Sequence, residues 1–320
     1  MIGKIPLFPQ KEVLVDYTYN GDAGVFKINE DLAVVSTVDF FTPILDIPFY
    51  YGEIAVANSL SDIYAMGAKP ISALNVIGFN KKIFPMEVIA EILKGGASKL
   101  AESGTVLLGG HTIQDKEIFY GASVTGLINP VDLITNRGAK EGSILVLTKP
   151  LGTGVITTAL MAKMLGMEQA MDCINNMRAL NNIASEIMVK YKARAATDIT
   201  GFGFIGHSIE LAEASNVSLK ICFSKMPVDK LAFDIISKGI YPGGSLENQS
   251  YFASNCKTEA INEIEKAILY DAQTSGGLLI AFDESIAEKA LAEMQNRGVS
   301  NARIIGEVIP RGKDIIIVER

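Results

Sequence analysis

Apolar and polar residues alternate from position 31 to 41. Leu32, Val34 and Phe40 fall on one side and Val35, Thr37 and Asp39 on the other, which predicts a strand. The period then lengthens: 52–66 reads as a helix ended by Gly67, with Lys69-Pro70 beyond it as a stop signal. A strand over 71–79, an amphipathic helix over Met86–Glu102, a short strand over Thr105–Leu108 and a strand over 118–127 follow, ending near Asn129-Pro130. The pattern restarts with a strand over Ser143–Leu147, a helix over Val155–Met164 and a longer one through 168–191. Beyond these come a helix over 204–214, a strand over 218–223, a glycine turn at Pro242-Gly243-Gly244 and a helix over 257–268. The strand Leu278–Phe282, a helix over 284–297 and strands over 302–309 and 314–318 close the chain. Helices and strands mix without a strict βαβ rhythm. The expectation is an α+β chain of two domains, 1–130 and 131–320, joined near 129–140.

With 320 residues, 48% of them hydrophobic, the chain can bury a large core. Its apolar runs are short and bounded by Gly, Pro or charge, so none reads as a membrane span. The first residues, Met1 to Pro6, read as neither a signal nor a transit sequence. A net charge of −7 without a basic block argues against nucleic acid as a partner. Cys173, Cys222 and Cys256 are widely spaced and make no CxxC pair. They predict a reduced, cytoplasmic protein with no disulfide framework or structural zinc, each cysteine being a buried small hydrophobe.

The chemistry is carried by carboxylates in apolar or glycine-rich phrases, where an unpaired charge is costly. Asp22 lies in 20–25, Asp39 ends the strand-like run 34–41, Asp62 lies in 57–67 and Asp198 in 196–203. With no His/Cys cluster nearby, a hard oxygen-liganded ion such as Mg²⁺ is the natural counter-charge. Asn58 and Asp62 stand four apart on one helix face, either as a solvated polar stripe or as a ligand-binding face; the helix has no Lys or Arg to supply a solvated one. Asp22 between Gly21 and Ala23-Gly24 is either a turn residue or a metal ligand that lets a phosphate approach. Gly109-Gly110-His111-Thr112 follows a strand and could hold phosphate oxygens, or His111 could be a structural histidine at a tight turn. Gly201, Gly203 and Gly206 match GxGxxG, but the next strand ends at Ser224-Lys225 without the acid a dinucleotide site requires. Those glycines are read as shaping the loop that presents Asp198.

Six phrases together resemble the selenophosphate synthetase (selenide, water dikinase) family, from about residue 13 to the C-terminus: 36–44, 57–67, 108–113, 147–154, 197–203 and 273–279. The resemblance implies the two-domain architecture of aminoimidazole ribonucleotide synthetase and its relatives, as a homodimer whose N-terminal domains join into a β-barrel. It implies that ATP, selenide and water become AMP, orthophosphate and selenophosphate, with Mg²⁺ and a monovalent cation such as K⁺. By position, Asp22, Asp62 and Asp198 would bind metal; Asp39 and Asp62 would contact ATP. Gly110, His111 and Thr112 would reach the phosphates, including those of ATP held mainly by the neighbouring subunit. The family also carries a glycine-rich N-terminal segment with Cys or selenocysteine and then Lys. The 21 residues before Asp22 contain no Cys and no such run, Lys4 and Lys11 lie outside the motif, and Gly21 replaces an acidic residue. No catalytic residue is therefore assigned in this chain, and the expectation is a selenocysteine codon upstream of its first Met. Two other readings remain: a non-catalytic ATP-binding partner subunit, and a sister ATP-dependent kinase of another small molecule.

Overall fold

The computed structural model describes residues 10–19 and 21–320; Lys4 lies outside them. A first sheet holds β1 (Val13–Val15), β2 (Gly24–Asn29), β3 (Leu32–Phe41), β4 (Lys69–Phe79), β5 (Val106–Gln114) and β6 (Phe119–Ile128) in the order β1-β2-β3-β6-β4-β5. All pairs are antiparallel except β4 with β5. The helices α1 (Pro48–Ala65) and α2 (Met86–Ser103) pack on one face. Helix α1 starts four residues earlier than its apolar pattern suggested, with Pro48 in the first turn, where its missing N–H costs nothing.

The second half contains α3 (Thr153–Met161), α4 (Met171–Arg178), α5 (Asn182–Lys190), α6 (Gly203–Ser215), α7 (Lys230–Ser237), α8 (Gly243–Phe252), α9 (Glu263–Tyr270) and α10 (Glu284–Asn296). Its sheet is built from β7 (Ile144–Leu147), β8 (Ala195–Asp198), β9 (Val217–Cys222), β10 (Cys256–Lys257), β11 (Leu278–Phe282), β12 (Arg303–Pro310) and β13 (Ile316–Glu319), in the order β10-β13-β9-β12-β7-β11-β8. The GxGxxG run links β8 to β9 through α6, but three strands separate β8 from β9 in the sheet, so no βαβ dinucleotide unit forms.

Three sequence expectations are corrected. The helix over 168–191 is two helices, because Ala179 is extended (φ −68°, ψ 134°) and its carbonyl accepts from Lys149 Nζ at 2.7 Å. The helix over 257–268 begins only at Glu263, where Asn262 and Glu265 form a reciprocal capping box. Gly109 and Gly110 do not end a strand: β5 runs through them to Gln114. Gly110 has φ 156°, and a Cβ there would meet the Asn75 carbonyl oxygen at 2.3 Å, so only glycine lets the strands approach this closely. The cysteines are free, and Cys173 is buried, but Cys222 and Cys256 are only half-buried.

Helix α1 is buried on nearly every side because it lies between the halves, touching β3, β6 and α2 on one side and α4, α5 and β8 on the other. Its Glu53 pairs with Arg178 at the end of α4, whose guanidinium lies 4.3 Å from the Tyr50 ring centroid. Against α2 the backbones nearly touch: a Cβ at Gly52 would lie 2.0 Å from the Ile92 oxygen, and one at Gly95 2.0 Å from the Phe49 oxygen. Gly95→Ala is therefore expected to destabilise by about 3 kcal/mol, the upper end for overpacking, since backbone cannot swing aside. Chemical denaturation measures it; a loss below about 1 kcal/mol would mean the helices slide apart freely.

The opposite face of the first sheet is open. Register aligns Val38, Ser123, Leu74 and Gly109 in one row and Phe40, Gly121, Val76 and His111 in the next. Phe26, Ile28, Val38, Phe40 and Leu74 are exposed on it. Among the described residues no helix is long and apolar enough to cross a membrane.

Candidate functional site

Alternation along β3 turns Thr37 and Asp39 toward α1, and α1 turns Asn58 and Asp62 back toward β3. Thr37 Oγ1 donates to Asp62, and Asn58 Nδ2 donates to Asp39. The second half supplies Asp198, which ends β8 and is 3% exposed. Just before β2, Asp22 reaches the same strand, where Thr197 Oγ1 donates to its carboxylate at 2.7 Å. Sequence positions 22, 39, 62 and 198 thus converge where the two halves meet.

Their electrostatics are those of an unfilled cation site. Burial pushes the Asp22 and Asp62 carboxyls well above the usual range, and the nearby Asp198 charge pushes them further. Asp39 is raised to about 6, first by burial and then by Asp198. One oxygen of Asp22 and one of Asp198 are buried without a hydrogen-bond partner. Among the described residues no three His, Cys, Asp or Glu side chains close on one point as a ready-made cage. That suits Mg²⁺, which keeps several waters and takes one or two carboxylates together with substrate phosphates. The residues present therefore fit the metal the sequence implied.

The carboxyl shifts fix a sign for pH dependence. With its folded pKa raised from 3.8 to about 6, Asp39 contributes stability that is present below pH 4 and lost as pH rises through 6. Relative to Asp39→Asn, the metal-free wild type should lose on the order of 2 kcal/mol between pH 4 and 7, after allowance for partial exposure. Parallel pH–stability curves in chelator would contradict this.

Sequence reasoning missed the clasp that holds the halves in register. Asn58 Oδ1 accepts from Ser275 N at 2.9 Å, and Ser275 adopts φ 50°. Lys149 Nζ donates to the carbonyls of Ser275 at 3.0 Å and Ala179 at 2.7 Å, and burial lowers its pKa to about 7. Asn181 Nδ2 donates to Ser61 Oγ at 2.9 Å and the Gly276 carbonyl at 3.0 Å. The glycine turn at 152–154, which resembles a phosphate cradle, is already filled. Gln273 Oε1 accepts from Gly152 N and Thr153 N, and Asp271 from Gly154 N and Val155 N. No motif announces these partners; the only signal was a lysine and amides inside otherwise apolar phrases.

Gly110, His111 and Thr112 are not brought to the carboxylates. They sit on the exposed edge strand β5, three strands from Asp39 on β3, about 14 Å at ordinary strand spacing. His111 shares the open apolar face with Phe40, while register places Gly110 and Thr112 toward the helices. Lys11 is exposed and lies 3.7 Å from Glu12.

Residues 20–128 match the family model "AIR synthase related protein, N-terminal domain", and residues 140–319 match its C-terminal domain. The chain is 45% identical over 314 residues to the selenide, water dikinase of Aliarcobacter butzleri, covering 98% of this chain and 91% of that protein. It is 44% identical over 311 residues to the selenide, water dikinase of Clostridioides difficile, covering 96% and 88%. A solved structure of the hydrogenase maturation protein HypE in complex with ATP superposes with a TM-score of 0.69 at 18% identity, covering 94% of this chain and 85% of that one.

Proposed function

Because the chain belongs to the selenide, water dikinase family of AIR synthase-related proteins, we propose that it makes selenophosphate from ATP, selenide and water, releasing AMP and orthophosphate. The observation that carries this reading is the convergence of Asp22, Asp39, Asp62 and Asp198, with two orphaned oxygens and raised proton affinities. Phosphoryl transfer is mainly positioning and charge neutralisation, and this cluster is suited to hold the cations that accompany a polyphosphate. Asp22, Asp62 and Asp198 would hold Mg²⁺, which when bound neutralises phosphate charge. Asp39 and Asp62 would orient the nucleotide, and Thr37 and Asn58 fix the angle of those two carboxylates. A monovalent cation such as K⁺ completes the ionic requirement.

The assembly in this proposal is a homodimer formed through the open face of the first sheet, in the cytoplasm. Closing two such faces into a barrel covers Val38, Phe40 and Leu74 and carries β5 of one subunit toward the other. Gly110, His111 and Thr112 would then reach phosphates of a nucleotide held mainly by the neighbouring subunit.

³¹P NMR with ATP, Mg²⁺, K⁺ and anaerobic selenide tests the reaction. Selenide-dependent AMP, orthophosphate and a phosphorus resonance coupled to selenium are expected. Transfer to an organic acceptor with ADP as final nucleotide would overturn the proposal in favour of a sister kinase.

A further inference from the structure

Thr200, His207 and Glu210 stand apart from the four-carboxylate cluster but begin two residues beyond Asp198. His207, on α6, is 8% exposed. Its Nε2 lies 3.1 Å from Thr200 Oγ1, and its Nδ1 lies 3.3 Å from a carboxylate oxygen of Glu210, one turn further along. The Phe202 ring lies against the imidazole, centroids 5.6 Å apart. The loop carrying the hydroxyl is tied down on both sides: Gln273 N donates to the Thr200 carbonyl at 3.0 Å, and Asn248 Nδ2 to the Gly201 carbonyl at 2.9 Å. The negative charge of Glu210 is felt at Asp22, so both ends of the trio border the cluster. Glu210 also lines a cavity of about 630 Å³ with Glu213, Glu247 and Tyr251, and Tyr251 is 79% exposed, so the cavity reaches the surface.

A carboxylate facing one ring nitrogen fixes the imidazole proton there and leaves the other nitrogen to accept. Here Glu210 holds the proton on Nδ1, and Nε2 accepts from the Thr200 hydroxyl. Hydroxyl, imidazole and carboxylate in that order make a base able to draw a proton away from an oxygen nucleophile.

The geometry points to a proton relay through Thr200, His207 and Glu210 that serves the water half of the reaction. It rests on the dikinase reading above, in which one phosphoryl group passes to selenium and another to water. In the water step a P–O bond forms to the water oxygen, and the bond to the AMP oxygen breaks with its electron pair staying on AMP. Water gives up one proton. Thr200 Oγ1 takes that proton as it passes its own to His207 Nε2, Glu210 balances the imidazolium, and the proton leaves through the carboxylates of the cavity. Hydrogen selenide is already an anion at neutral pH and needs no such help, so the relay acts on one acceptor and not the other. His207 and Glu210 are positioning and proton-carrying residues; only Thr200 faces the reacting water.

Product ratios test this in the full chain with ATP, Mg²⁺, K⁺ and selenide. Thr200→Val and His207→Gln should still form selenophosphate but stop at ADP, with AMP formation reduced at least ~100-fold. Thr200→Ser, which keeps the hydroxyl, should restore AMP. An unchanged AMP-to-ADP ratio in both variants, or an equal fall in selenophosphate and AMP, would overturn the relay. A second readout needs no turnover. The chain has two histidines, so the ¹⁵N imidazole signals absent from His207→Gln identify His207. The wild type should show the Nδ1–H tautomer, and Glu210→Gln a mixture. An Nε2–H tautomer in the wild type would overturn the proposal, because the accepting nitrogen would be filled. If the wild type forms no AMP at all, the dikinase reading fails while the tautomer still decides the relay.

Discussion

Asp198→Asn leaves a folded, more heat-resistant protein that no longer holds Mg–ATP. Asp198 is the charge common to the cluster: it raises the proton affinity of Asp22, Asp39 and Asp62. Buried at 3% exposure with one orphaned oxygen, it is costly to the empty fold and useful only when a cation arrives. Removing the charge should raise stability in chelator by about 1–2 kcal/mol, because a neutral orphan costs less than a charged one. The same change removes a metal contact from a reaction that depends on charge neutralisation, so selenophosphate formation should fall at least ~10³-fold. Opposite signs in the two measurements make the test sharp. Unchanged Mg–ATP affinity by calorimetry would remove Asp198 from the binding role, and lowered stability would show that the carboxylate is satisfied in the empty protein.

Phe40→Lys combined with Leu74→Lys should convert the protein from dimer to monomer without unfolding it. Both side chains project from the open face of the first sheet and are already accessible in the single chain, so the core is untouched. Burying each apolar side chain contributes about 1.5–3 kcal/mol, and two unpaired ammonium groups in the interface add to the loss. A combined penalty above about 5 kcal/mol shifts the dissociation constant by more than ~10³-fold, enough to read by light scattering at micromolar concentration. His111 occupies the same face, so turnover should fall with the dimer. A double variant that remains dimeric would place the interface elsewhere.

Much of this arrangement was legible from periodicity, and the failures have physical causes. The period of two through 31–41 located β3 and turned Thr37 and Asp39 to one side; the four-residue interval between Asn58 and Asp62 set them on one face of α1. The break at 179–181 was hidden because it is imposed from outside, by Lys149 and by the partners of Asn181, while the local residues would tolerate a helix. Helix α8, read as a glycine turn, has almost no apolar stripe and is held by packing: the buried Phe252 lies against Phe202 of the Asp198 loop, and Asn248 is bonded to Gly201. The glycines of β5 looked like a turn because glycine usually marks one; here they permit close approach to Asn75. His207 was overlooked because its partners precede it by seven residues and follow it by three. Only the helix that begins at Gly203 brings them together.

Helix α1 belongs to both halves at once. Its Asn58 grips Asp39 with one end of its amide and Ser275 with the other, Ser61 receives Asn181, and Glu53 holds Arg178. Neither half retains a finished core if this helix leaves, so melting one half removes the packing surface of the other. Heating should therefore give a single calorimetric transition whose van't Hoff and calorimetric enthalpies agree, despite two sheets of separate topology. A chain folded this way has no stable half-product: loss of the helix at any stage of assembly leaves both sheets unfinished together.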